Sequence, residues 1–235
     1  MRSAMKTLAI ETSCEQASVA LRIGTTSIAR VLSGHANHSE GLLPSVATLL
    51  AEAGLRVADL DCVAFGAGPG AFTGLRLACG AAQGLAMGGG IGVVPVPTLA
   101  ALAADAPDGN VIALTDARMG EIYTAAYFLE AGCPVPLHAA ACLAPNAFEL
   151  PEGQERWWLL GSALKAWPDL LERLPAARVS GVDAQAVPQA ESVARLAEGI
   201  AAREGMLAPE LAVPLYVRDK VAMTTAERLA RGGRA

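Results

Sequence analysis

Glu11 and Asp116 are the first residues in this 235-residue chain with the type and setting to do chemistry. Each closes a short apolar run, Leu8 to Ile10 and Val111 to Thr115, and each precedes a polar turn and a second apolar run. An acid at a strand's end can orient a metal or a water, while the amides of the adjoining turn hold phosphate. The first turn, Thr12-Ser13-Cys14-Glu15, brings hydroxyls but also a second acid, Glu15, into the place a phosphate would take. The second, Ala117-Arg118-Met119-Gly120, offers one glycine, and no later Gly-Gly loop appears where an adenosine would be gripped. These residues favour carboxylates that bond backbone groups in tight turns over a working nucleotide site.

Three other groups invite a chemical reading. His35 and His38 are two imidazoles three positions apart with no third ligand in a recognisable motif, short of what a metal requires. Cys14 has no evident histidine partner, and no Gly-x-Ser-x-Gly is present. The segment from Gly66 to Arg76, Gly-Ala-Gly-Pro-Gly-Ala-Phe-Thr-Gly-Leu-Arg, is a glycine-rich turn that could bind an anion at a helix start, although Phe72 stands where a basic residue would help.

The elements that must position these residues follow from periodicity. Thr7 to Thr12, Ala17 to Ile23 and Thr25 to Leu32 read as an antiparallel meander. Leu42, Val46, Leu49, Leu50 and Ala53 recur at helical spacing from a Ser39 cap to a Gly54 stop. Val63 to Gly66 is a strand, Thr73 to Met87 a second helix, Ile91 to Val96 a strand, and Thr98 caps a helix to Ala104. After a turn at 105–110, strands are predicted at Val111 to Thr115, Glu121 to Leu129 and Trp157 to Leu160. Helices follow at Ala163 to Leu174 and Gln189 to Arg203, with a closing strand at Leu215 to Arg218 and a last helix near Ala226 to Arg231. Glu11 and Asp116 lie 105 positions apart in matching hairpins, the mark of an internal duplication.

Gly80, Gly84 and Gly88, spaced by four, leave one face of the second helix nearly bare. An interior glycine costs about 1 kcal/mol against alanine. Their presence implies that another backbone comes close, either the chain's own sheet or a partner.

Composition narrows the class. Hydrophobic residues make up 53% of the chain, with 49 alanines and only 4% aromatics, so the core must pack through small and aliphatic side chains. Eighteen basic residues against 23 acidic ones, with no basic run, argue against a stand-alone nucleic-acid binder. Leu77 to Ala104 is apolar but is broken by Gln83, Gly88 to Gly90, Pro95 and Pro97, against a membrane span. The start has no secretory h-region, and five cysteines with no Cys-x-x-Cys suit reduced thiols in the cytoplasm.

Duplicated acid-ended hairpins open each lobe of actin-like and sugar-kinase folds. Five segments then resemble the bacterial TsaB (YeaZ) family of threonylcarbamoyladenosine biosynthesis subunits, in the family's order and over nearly the whole chain. They are Ile10 to Ser13; His38-Ser39-Glu40 with Leu42-Leu43-Pro44; Gly68 to Arg76; Asp116 to Tyr123; and Pro214 to Arg218. The resemblance implies an α/β fold of two tandem lobes of the actin-like ATPase, sugar-kinase (ribonuclease H-like) type with a degenerate nucleotide site. The expected division is 1–104 for the partner-binding lobe, 105–221 for the second, and 222–235 for a tail that returns to the first.

It also implies a non-catalytic subunit that binds and activates TsaD. With TsaE, that complex transfers a threonylcarbamoyl group to N6 of adenosine 37 in tRNAs reading ANN codons. Neither cofactor nor metal is expected in the isolated chain, and ATP or ADP enters only within the complex. The expected partner interface comprises Ser39, Leu42, Leu43, Val46, Leu50, Phe72, Thr73, Leu77, Gly80, Gly84 and Met87, with a homodimer through the same helices when the chain is alone. The rival readings are a small actin-like phosphotransferase acting on a metabolite and a metallopeptidase.

Overall fold

The computed structural model describes residues 4–32 and 38–218. Strands β1 (Lys6–Glu11), β2 (Ser18–Ile23) and β3 (Thr26–Val31) form the expected meander, its second turn closing through Gly24 at a left-handed φ of 59°. Helix α1 (His38–Glu52), strand β4 (Cys62–Gly68), helix α2 (Phe72–Gly89) and strand β5 (Gly92–Pro97) follow, and the two strands extend the sheet from β1 in parallel. Gly90, at φ 66°, ends α2 by turning its amide back to Ala86 O and Met87 O, a glycine C-terminal stop. Helix α3 (Thr98–Ala103) leads into the second half.

There, strands β6 (Gly109–Arg118), β7 (Glu121–Glu130) and β8 (Cys133–Leu143) form another antiparallel meander, and β9 (Trp157–Leu160) and β10 (Val179–Asp183) pair in parallel beyond β6. The sheets read β3-β2-β1-β4-β5 and β8-β7-β6-β9-β10, one topology used twice. Glu11 and Asp116 occupy matching ends of the two central strands.

Alternation along the strands explains the alanine content. In β1, Leu8 and Ile10 join the core beneath α1 and α2, whereas Ala9 faces helix α6 (Ala190–Glu204) on the opposite side. The same holds in β4, with Val63 and Phe65 on one face and Cys62 and Ala64 on the other. Small residues on the sheet meet Ala190, Val193, Ala194 and Ala197 on α6, so helix and sheet close without large side chains. A mixed sheet with parallel strands needs both faces covered, and α6 supplies the second cover. The second sheet packs α3 on one face and helices α4 (Ala163–Ala166) and α5 (Asp169–Glu172), with Phe148, on the other.

Several expectations are corrected. Strands β8 and β10 were not anticipated, because β8 is a mostly exposed edge with Pro134 and Pro136 and carries no clear alternation. The single helix expected over Ala163 to Leu174 is two short ones. Trp167, driven out of helical geometry (φ −131°, ψ 73°) by the following Pro168, divides them. Residues Leu215 to Arg218 form no strand, and Leu215 N–H makes one backbone bond to Ala67 O (2.7 Å). Thr98 does not cap α3, since its hydroxyl is engaged elsewhere, as described below. The division at residue 105 is also crossed: α6 and the segment after it pack on the first lobe. His35 and the tail at 222–235 lie outside the described residues. No helix among the described residues is long and apolar enough to cross a membrane.

Two glycine substitutions discriminate between close approach and open surface. A Cβ on Gly74 would lie 1.8 Å from Thr12 O, whereas one on Gly84 meets none of the described residues within 4 Å. Gly74→Ala is expected to cost at least about 3 kcal/mol through forced backbone displacement. Gly84→Ala is expected to be neutral or to add up to about 1 kcal/mol. Urea unfolding of both variants checks the contrast.

Candidate functional site

The acid turns are built alike. Glu11, wholly buried, accepts the Ser13 N–H at Oε1 (2.6 Å), and Asp116 accepts the Arg118 N–H at Oδ1 (3.0 Å), each from two residues on. Both carboxylates therefore cap backbone amides in tight turns. Thr98 donates its hydroxyl to Glu11 Oε2 (3.4 Å) and accepts the Gly68 N–H (3.1 Å), tying the first turn to β4. Burial pushes the Glu11 carboxyl above its ordinary range, and the hydrogen bonds from Ser13 and Thr98 oppose this only in part.

The glycine-rich segment serves the same turn rather than an anion. A Cβ on Gly66 would lie 1.9 Å from Glu11 Oε2, and one on Gly70 would lie 2.6 Å from Ser13 Cβ. The amide of Ala71, just before α2, donates to Ser13 O (2.8 Å), and the Thr12 hydroxyl donates to Gly74 O (2.7 Å). The glycines let two backbones touch.

Between the lobes lies a cleft of about 990 Å³. Its mouth is bridged by an ion pair between Glu15 of the first hairpin turn and Arg118 of the second, and Arg118 also reaches Asp116 (3.3 Å). The segment from Leu207 to Arg218 straps the two halves together. Leu207 exchanges backbone bonds with Val93, Gln83 donates to Pro209 O and Ala212 O, and the Tyr216 ring packs on Phe72 (5.6 Å) while its hydroxyl accepts from Arg76 Nε (3.1 Å). Two residues later, Arg218 pairs with Glu121 (2.6 Å) and donates to Ala117 O (2.9 Å) in the second lobe.

This cleft is where the fold would place a nucleotide, and its residues do not fit a metal–nucleotide. Glu15 and Asp116 bring acids to the phosphate position, the Ser13 amide is committed to Glu11, and among the described residues no three His, Cys, Asp or Glu side chains converge. Burial and the Glu11 charge push the Cys14 thiol up to about 12, which disfavours the thiolate form a nucleophile needs.

The bare face of α2 is open to solvent and does not pack on the chain's own sheet. Gly80, Gly84 and Gly88 are exposed, and none of the described residues lies within 4 Å of the point where a Cβ on any of them would stand. Met87 is 65% exposed, and Thr73 and Phe72 are exposed beside them. Leu77 is half-buried at the margin. On α1, Ser39 and Leu43 are exposed, Leu43 at 54%. Leu42, Val46 and Leu50 are corrected: at 1%, 2% and 6% exposure they belong to the core under α1 and cannot touch a partner. The apolar stripe that identifies an amphipathic helix marks its inward face, and the interface expectation took that stripe for the outward one. Missed altogether was the stack of Arg76, Phe72 and Tyr216, whose guanidinium lies 3.8 Å from the Phe72 ring centre. A separation of 140 positions between Arg76 and Tyr216 left no local signal for it.

Two sheets of one topology about a cleft, each opened by an acid-ended hairpin, define a two-lobed α/β protein of the actin-like ATPase, ribonuclease H-like class. The family model described as "TsaD: tRNA N6-adenosine threonylcarbamoyltransferase" matches residues 33–134. The chain is 35% identical to the Escherichia coli K12 tRNA threonylcarbamoyladenosine biosynthesis protein TsaB, over 93% of this chain and 96% of that one. Among solved structures it is similar to YeaZ from Pseudomonas aeruginosa (TM-score 0.82, 36% identity, covering 90% of this chain and 99% of that one). A second solved structure, of a P. aeruginosa protein described as similar to peptidase YeaZ, gives a TM-score of 0.83 at 35% identity, covering 91% of this chain and 100% of that one. The chain belongs to the TsaB (YeaZ) family.

Glu11 makes stability pH-dependent with a definite sign. Its folded pKa is raised, so the contribution is present below the unfolded value near 4.5 and is lost as pH rises through the folded value. Glu11→Gln, which keeps the shape without the charge, is expected to gain stability relative to the parent as pH rises from about 5 to about 8. Urea midpoints at the two pH values measure it, and a constant difference would contradict the burial argument.

Proposed function

We propose that this chain is a non-catalytic subunit of the complex that transfers a threonylcarbamoyl group to N6 of adenosine 37 in tRNAs reading ANN codons. In this reading it acts in the cytoplasm, binds and activates a TsaD-type catalytic chain, and works with TsaE. Nucleotide enters only within the complex. The observation that carries the reading is the open face of α2: Gly80 and Gly84 admit a second backbone, and nothing among the described residues occupies the space. A helix that gives up about 1 kcal/mol at each interior glycine regains it through close packing with a partner. Support for inertness comes from carboxylates committed to backbone amides and from an acid-lined cleft. The charge balance of −5 suits a subunit whose partner supplies the basic surface for tRNA.

The interface residues in this proposal are Ser39, Leu43, Phe72, Thr73, Leu77, Gly80, Gly84 and Met87. Gly84→Leu fills the open face and Leu43→Arg charges the neighbouring helix, and neither position is in the core. Each is expected to weaken binding to a purified TsaD-type chain at least tenfold, about 1.4 kcal/mol, with an unchanged melting curve. Both are also expected to shift a homodimer of the isolated chain toward monomer in sedimentation. Full affinity in both variants would remove the interface, and steady ATP turnover by the isolated chain would favour a phosphotransferase instead.

A further inference from the structure

The cleft has the size of a ligand site, about 990 Å³, and it is lined from both lobes and from the strap. Three cationic side chains, Arg118, Lys165 and Arg218, and two acidic ones, Glu15 and Asp116, line it, a surplus of one positive charge. Their arrangement is uneven. Arg118 is held by Glu15 and Asp116, and Arg218 by Glu121, whereas the Lys165 ammonium has no hydrogen-bond or ion-pair partner among the described residues. Thr115 Oγ1, also on the second-lobe wall, is buried without a hydrogen-bond partner. A donor left unmatched in a concave polar wall is costly unless something binds it.

The turn that presents Arg118 is itself strained. Arg118 and Met119 both hold left-handed φ values, 60° and 55°, without being glycine. Such residues carry a backbone cost and persist only where the surroundings hold them. Here Arg218 does so, donating to Ala117 O (2.9 Å) and to Arg118 O (3.3 Å). The opposite wall is apolar, with Leu32, Leu75 and Leu215 beside the Phe72 and Tyr216 rings.

We propose that the cleft binds a small organic anion with a single charged head, a carboxylate or a phosphate monoester, and an apolar or aromatic body. The head pairs with Lys165 and Arg118, and the body lies against the leucines and the two rings. The resident Glu15 carboxylate competes for Arg118, so ligand binding displaces it and loosens the bridge between the hairpin turns. A polyphosphate does not suit this site, because one surplus positive charge and two facing acids cannot balance it. This site shares only Phe72 with the proposed partner face and does not depend on that reading.

Fluorescence titration of the full chain with 8-anilinonaphthalene-1-sulfonate, an aromatic body with one fixed charge, tests the proposal. One probe per chain is expected to bind. Lys165→Glu, at an exposed position with no structural partner among the described residues, should weaken binding at least tenfold with unchanged circular dichroism. Glu15→Gln should tighten it three- to tenfold, and Gly84→Leu, outside the cleft, should leave it unchanged. Competition by phenyl phosphate or by 3-phenylpropionate identifies the preferred head group, and displacement by neither overturns the assignment. It is equally overturned if Lys165→Glu has no effect, if Gly84→Leu abolishes the signal, if the neutral N-phenyl-1-naphthylamine shows the same dependence on Lys165, or if magnesium-ATP displaces the probe better than either competitor.

Discussion

The contact between two backbones, the Glu11-Thr12-Ser13 turn and the glycine-rich run that begins α2, governs the rest of the molecule. Gly66, Gly70 and Gly74 approach that turn at distances that exclude any Cβ, and the Ala71 amide and the Thr12 hydroxyl lock the two together. With the start of α2 fixed there, Leu75, Ala78, Cys79, Ala82 and Ala86 must face the sheet. By the 3.6-residue period, Gly80, Gly84 and Gly88 then face outward. Two sets of glycines within 25 residues thus do opposite things: the first is enclosed by the chain's own backbone, and the second is left bare.

The same contact shapes the cleft where this class of fold would place a nucleotide. The turn amide that would meet phosphate is bonded to Glu11, and the acid farther along the turn, Glu15, reaches across to Arg118. The duplicated hairpin in the second lobe is also self-satisfied, with Asp116 bonded to the Arg118 amide and, through its own N–H, to Ser162 Oγ (3.0 Å). Carboxylates that satisfy backbone groups in this way stabilise the turn. What survives of the cleft is its volume and a modest positive surplus on one wall.

The strap joins these features. Over three residues it stacks Tyr216 on Phe72 at the start of α2 and anchors Arg218 in the β6–β7 turn. The outward face of α2 and the cleft wall are therefore held by one segment, although they belong to different lobes. An exposed ion pair such as Glu15 with Arg118 contributes at most about 1 kcal/mol. The strap and the buried packing of α3 and α6 carry most of the connection between the sheets.

Much of this was legible in the chain itself. Alternation and helical spacing locate β1 to β7, β9, α1, α2 and α6 to within a residue or two at most ends, because a buried face imposes its period on the sequence. The repeated strand, acid and turn announce two equivalent halves, and the glycine spacing on α2 announces a bare face. Which way a face points was not legible. Leu42, Val46 and Leu50 have the same period whether they meet a partner or their own sheet, and only the position of β2 and β3 beneath α1 assigns them to the core. Strand β8 and the Arg76–Tyr216 contact depend on neighbours far along the chain, so no local pattern encodes them. Residue order alone thus specifies the elements, their duplication and the positions free of bulk. Which of those positions are enclosed and which face solvent was settled by the folded chain, since burial is a property of what lies over a residue and not of its own spacing.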